Sequence, residues 1–69
     1  MSLGTSLAQA RRKAGLTQEA VAEKLGVSRQ TISKWELDET LPDIRQAKSL
    51  AQLYHTTLDD LLQYDAQVE

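Results

Sequence analysis

Apolar positions recur at helical spacing in five stretches of this chain, and no stretch alternates with the two-residue period of a strand. Leu7, Ala10 and Ala14 line one face of a helix predicted over about Thr5 to Ala14, with Gly15 as its stop. Val21, Ala22 and Leu25 do the same over about Gln18 to Leu25, and Ile32 and Trp35 over about Arg29 to Glu36. Leu37 to Leu41 reads as a loop, because Pro42 bars continuation of the preceding helix. A fourth helix starts at Asp43 or Ile44 and runs to Tyr54, with Ile44, Ala47, Leu50, Ala51 and Tyr54 as its apolar stripe. Leu58, Leu61 and Leu62 mark a short fifth helix. The pattern predicts an all-α, compact five-helix bundle forming one domain over residues 1–69, with residues 1–4 and 64–69 flexible. The expected core is Leu7, Val21, Ala22, Leu25, Val27, Ile32, Trp35, Ile44, Leu50 and Leu61.

The punctuation between the second and third helices is specific. Thr17 suits an N-cap, and Glu19 places negative charge in the first turn, where the helix dipole favours it. Ala22 is small enough for a second helix to cross closely. Gly26 ends the helix in a left-handed conformation, Val27 plugs the turn into the core, and Ser28 caps the next helix. Farther on, Thr57-Leu58-Asp59-Asp60 resembles a capping box with aspartate in place of glutamate.

Helix, tight turn, helix is how a small protein presents side chains to the DNA major groove. With Ile32 and Trp35 turned inward, the third helix offers Arg29, Gln30, Ser33 and Lys34 outward. None of the four serves a core, and all can hydrogen-bond to DNA. Trp35 has the chemistry of a base-stacking platform, but its spacing with Ile32 assigns it to the core.

These residues carry a family likeness. Leu16-Thr17-Gln18, Ala22, Leu25-Gly26-Val27-Ser28, Thr31-Ile32-Ser33-Lys34-Trp35-Glu36, Leu41-Pro42-Asp43-Ile44 and Leu58-Asp59-Asp60-Leu61-Leu62 all match it. The chain resembles the phage-repressor and Cro-like helix-turn-helix family, also called the Xre family, over roughly Leu7 to Gln63. The resemblance implies a lambda-repressor-like fold and a sequence-specific transcription regulator bound to a double-stranded DNA operator. It implies base contacts from Arg29, Gln30, Ser33 and Lys34, with Lys34 reaching a base or only a phosphate. It implies phosphate contacts from Gln18, Ser28, Arg11 and Thr40, and an ion pair between Arg11 and Glu36. One departure stands out. Leu37-Asp38-Glu39-Thr40 replaces the basic or glycine-rich stretch common in relatives, and Asp38 stands where glycine is usual. Two carboxylates beside phosphates are expected to weaken binding, leaving that loop Thr40 and backbone N–H groups as contacts.

Composition narrows the alternatives. The chain has 69 residues, 41% hydrophobic, enough for a small helical core and too many for a disordered chain. Its net charge of −2 hides a split: residues 1–36 hold six basic and three acidic side chains, and residues 37–69 hold two basic and seven acidic. The positive half carries the motif, as attraction to phosphate requires. Cysteine is absent, which removes disulfide scaffolds and zinc fingers, and the single His55 has no ligand-type partners at metal spacing. No metal, cofactor, small-molecule ligand or catalytic constellation is inferred, so the chain is not read as an enzyme. No apolar run reaches membrane-span length, and Met1-Ser2-Leu3-Gly4 is too short for a secretory signal. The expected setting is cytoplasmic, on the nucleoid. A homodimer through the helix 5 region, with Leu58, Leu61, Leu62 and Tyr64, fits a two-fold operator, and regulation follows most simply from blocking polymerase. The alternative is a protein-interaction module of the same fold, antitoxin-like, with weak or no DNA binding. A free-standing regulator, a restriction-modification controller and the N-terminal domain of a longer regulator all stay open.

Overall fold

The computed structural model describes residues 2–67, with side chains through residue 62. It contains five helices: α1 (Leu3–Lys13), α2 (Gln18–Leu25), α3 (Arg29–Glu36), α4 (Ile44–Leu53) and α5 (Leu58–Gln67). There is no strand among the described residues. No described helix is long and apolar enough to cross a membrane.

Hydrogen bonds at the helix ends explain the boundaries. The Ser2, Thr17, Ser28 and Asp43 side chains accept from the N–H groups of Thr5, Ala20, Thr31 and Gln46, satisfying donors that a first turn leaves free. The Asp43 cap is a full capping box, since the Gln46 side chain accepts from the Asp43 N–H in return. Only half of that arrangement forms at Thr57. Its hydroxyl oxygen accepts from the Asp60 N–H at 3.0 Å, and aspartate is one methylene shorter than the glutamate that normally reaches back. Gly26 ends α2 at φ +72°, and Val27 N–H then bonds the Ala22 carbonyl at 3.0 Å.

Three expectations need correction. First, α1 begins at Leu3 rather than Thr5, and Gly4 is buried, so Leu3 and Gly4 are not a free tail. Ser2 caps the helix, and Gly4 lies so close to the end of α3 that a Cβ on it would stand 2.5 Å from the Glu36 carbonyl oxygen. Second, α5 continues to Gln67, past the expected end near Gln63; the expected flexibility of residues 68 and 69 lies outside the described residues. Third, Ile44 is 73% exposed and does not belong to the core. It is the first residue of α4, where the side chain leans back past the helix start, and α4 faces inward through Leu50, Ala51 and its cap residue Tyr54 instead.

The rest of the expected core forms one cluster. Leu7, Val21, Ala22, Ile32, Trp35, Leu50 and Leu61 are buried together with Ala51 and Tyr54, and Leu25 and Val27 pack partly buried against them. Helix α3 lies on α2 and α1, and α5 closes on α1 and α4. The recognition-type helix is thus held by the core along one side and free along the other.

Candidate nucleic-acid interface

Helix α3 splits cleanly by face. Ile32 and Trp35 are buried, while Arg29, Gln30 and Lys34 are exposed and Ser33 is half-buried beside them. The spacing makes this inevitable: 29 and 33, like 30 and 34, are four residues apart and stack on one side of a helix. Arg29 and Lys34 stand outside the one ion pair among the described residues, Arg11–Glu36. At the start of the helix, Ser28 spends its hydroxyl oxygen on the Thr31 N–H at 3.1 Å and its hydroxyl also pairs with that of Thr31 at 3.0 Å. The N–H groups of Arg29 and Gln30 fall before the first intrahelical donor, so the exposed end of α3 carries a positive partial charge.

The far end of α3 is fixed by a polar network. Arg11 grips Glu36 with two donors, Nε to Oε2 at 2.7 Å and a terminal nitrogen to Oε1 at 3.2 Å. Its other terminal nitrogen donates to the Leu16 carbonyl at 2.9 Å. Gln18 Nε2 donates to the same Glu36 Oε1 at 2.9 Å. The Glu36 carboxylate therefore joins α1 and the start of α2 to the end of α3, and Arg11 extends the tie to the α1–α2 turn. The expected Arg11–Glu36 pair is present, and its side chains are only 13% and 7% exposed. The hydrogen bond to Glu36, reinforced by its charge, raises the Arg11 pKa above the ordinary arginine value against the opposing effect of burial. Tyr54 lies within reach of the same charges. Burial first, and then the negative Glu36, push its phenol up to about 12, with Arg11 opposing.

The network changes how two expected phosphate contacts could act. Gln18 has one amide N–H committed to Glu36, so only its second is free to donate. Each of Arg11's three nitrogens already holds a partner, so its guanidinium is mainly a structural tie.

The loop after α3 differs from the reading that set both carboxylates against phosphate. Asp38 adopts φ +62°, and its Oδ1 accepts from the Gly4 N–H at 2.9 Å, turned to the first turn of α1. Glu39 and Thr40 are exposed, but their N–H groups point at the Lys34 carbonyl, at 2.9 and 3.5 Å. The Glu39 N–H is thus not free for a ligand. Neither the Asp38–Gly4 bond nor the Gln18–Glu36 bond was apparent in the sequence. The one usable signal was Asp38 at a site that favours glycine, since aspartate tolerates positive φ better than most residues. His55 likewise sits at φ +59°, exposed, just past α4, as a helix-ending residue. Of the residues predicted to touch bases, all four share one surface; of those predicted to touch phosphate, Arg11 and Gln18 meet at Glu36, while Ser28 and Thr40 flank opposite ends of α3.

Comparison with known proteins identifies the family. The helix-turn-helix family matches residues 7–61. The chain is 43% identical over 65 residues to the HTH-type transcriptional regulator ImmR of Bacillus subtilis, covering 94% of this chain and 51% of that protein. It is 40% identical over 62 residues to the HTH-type transcriptional activator BcrR of Enterococcus faecalis, covering 90% of this chain and 30% of that protein. It is also 36% identical over 61 residues to an uncharacterized HTH-type transcriptional regulator of Archaeoglobus fulgidus, covering 88% of this chain and 87% of that one. The chain belongs to the helix-turn-helix family, in its Xre and Cro-like branch. Fold and relatives together define the class as a DNA-binding domain of the transcription-regulator type. The chain spans about half the length of ImmR and under a third of BcrR.

Proposed function

We propose that this chain binds a double-stranded DNA operator and regulates transcription by occupying it, with α3 in the major groove. The observation that carries the reading is the division of α3, with Ile32 and Trp35 buried and Arg29, Gln30, Ser33 and Lys34 presented on the outer side. Arg29 has the two-donor fork that matches guanine O6 and N7, and Gln30 the donor–acceptor amide that matches adenine N6 and N7. Ser33 and Lys34 extend that surface by one turn. Around it, we assign phosphate contacts to Ser28, the second amide N–H of Gln18 and Thr40, with Arg11 adding its charge from behind its tie to Glu36, and the exposed start of α3 adds its dipole.

A homodimer on a two-fold operator is part of the proposal, with α3 helices about 34 Å apart. Leu62 on α5 is 42% exposed and supports a contact there, whereas Leu61 is buried in the protomer's own core. Repression follows most simply, by excluding polymerase from the occupied site. Selection of bound duplexes from a random library at fixed salt tests the reading: one enriched palindromic site supports it, and no enrichment contradicts it.

The second reading is an interaction module that has kept the fold and not the DNA binding. It is favoured by Leu37, Leu41 and Ile44, all largely exposed along the α3–α4 connection. The same selection separates the two.

A further inference from the structure

Asp38 combines two features that ordinary surface loops lack. It holds a positive φ, +62°, which costs a residue with a Cβ, and its carboxylate reaches 34 positions back along the chain to the Gly4 N–H at 2.9 Å. That N–H belongs to the first turn of α1, where no helix partner exists and where negative charge suits the dipole. Beside this bond, the missing side chain of Gly4 lets α1 approach the last carbonyls of α3. A Cβ there would stand 2.5 Å from the Glu36 oxygen and 2.7 Å from the Trp35 oxygen, both backbone atoms that cannot step aside cheaply. The opposite part of α1 is tied to the same helix end by Arg11 and Glu36. Two attachments, one at each end of α1, thus bear on the C-terminal turn of α3.

We infer that Asp38 is a positioning residue for DNA reading: its bond to Gly4, over the close contact of Gly4 with Trp35 and Glu36, sets the pitch at which α3 presents Arg29, Gln30, Ser33 and Lys34. The inference rests on the reading of α3 as the base-contacting helix. Asp38 and Glu36 take hold of opposite ends of α1 from the same end of α3. Loss of the Gly4 bond therefore leaves α1 free to swing about Arg11 and the end of α3 free to tilt with it, and groove contacts depend on the placement of several side chains at once. It also reverses the plain electrostatic view of Asp38 as an acidic residue that only repels phosphate. The left-handed backbone is met by aspartate at some strain, and the hydrogen bond to Gly4 offsets it.

The test compares Asp38→Asn, Asp38→Gly and Arg29→Ala in the full chain, with affinity for the selected operator and for random duplex measured at several salt concentrations. Asparagine removes the charge but keeps both the acceptor and the tolerance of positive φ. Glycine relaxes the backbone but removes the acceptor. The operator-to-random affinity ratio is expected to stay near the parent value in Asp38→Asn and to fall about five-fold in Asp38→Gly, the size of one weakened base contact. A ratio unchanged in Asp38→Gly, whether all duplexes bind tighter or only the melting temperature moves, overturns the positioning role. An unchanged ratio in Arg29→Ala overturns the reading of α3 itself, and the positioning role with it. The amide spectrum of the free protein gives a readout that needs no DNA. In Asp38→Gly the Gly4 amide must shift and the change must carry into α3, with restoration in Asp38→Asn; changes confined to the neighbours of Asp38 overturn the inference.

Discussion

Glu36 receives Arg11 through both of its carboxylate oxygens, at 2.7 and 3.2 Å, with 7% of its side chain exposed. Removing Arg11 leaves a nearly buried carboxylate with Gln18 as its remaining side-chain donor. Arg11→Ala is expected to cost about 3 kcal/mol, because a mostly buried carboxylate left without its cation is more costly than a lost surface pair. At this chain length that lowers the melting temperature by roughly 12–24 °C. Arg11→Lys should recover only part of the loss, since lysine cannot reproduce the fork or the third bond to Leu16. A thermal melt of the three proteins checks both expectations.

Trp35 is 3% exposed and lies in the cluster that joins all five helices. Trp35→Ala should destabilise by about 3–5 kcal/mol and leave the domain largely unfolded at room temperature. Circular dichroism reads the outcome, and a helical spectrum that melts within a few degrees of the parent contradicts it.

Tyr54 makes stability fall in alkali. Its phenol titrates near 10.0 when unfolded and is pushed up to about 12 in the fold by burial and by Glu36. Between those values the unfolded chain has released the proton while the folded chain still holds it. The contribution is therefore complete below pH 10 and is lost as pH rises toward 12. Its full size is below roughly 2.7 kcal/mol, the equivalent of two pKa units. Tyrosinate absorbance in a Tyr64→Phe background should show a midpoint near 12 when folded and near 10 in denaturant. Equal midpoints contradict the burial argument.

Ile44 marks where periodicity alone misleads. It continues the stripe of Ala47 and Ala51, yet as the first residue of α4 it lies outside the core cluster and is 73% exposed. Ile44→Ser should change stability by less than about 0.5 kcal/mol, whereas Leu50→Ala, at a fully buried site four positions before the Tyr54 cap, should cost about 2–5 kcal/mol. Urea titration of both variants decides the matter.

The helices and most of the core were legible because caps and apolar spacing are local. Thr17, Gly26 and Ser28 each act within three or four residues, and the helix between Thr17 and Gly26 ends where they place it. The Arg11–Glu36 pair was expected through the family likeness alone, since nothing in spacing joins residues 25 apart. Gln18 on Glu36 and Asp38 on Gly4 were not legible for the same reason: the partners meet only once α1, α2 and α3 have packed. The start of α1 was misplaced because residues 1–4 read as a flexible terminus, and the use of Gly4 as a contact surface for α3 shows only in three dimensions.

The central claim is that Arg29 and Gln30 read bases. Affinities of the parent, Arg29→Ala and Gln30→Ala for the selected operator and for random duplex, at one fixed salt concentration, test it most directly. Each substitution should weaken operator binding by about 1–3 kcal/mol and random binding much less. Equal losses on both duplexes, or none on either, would contradict the account.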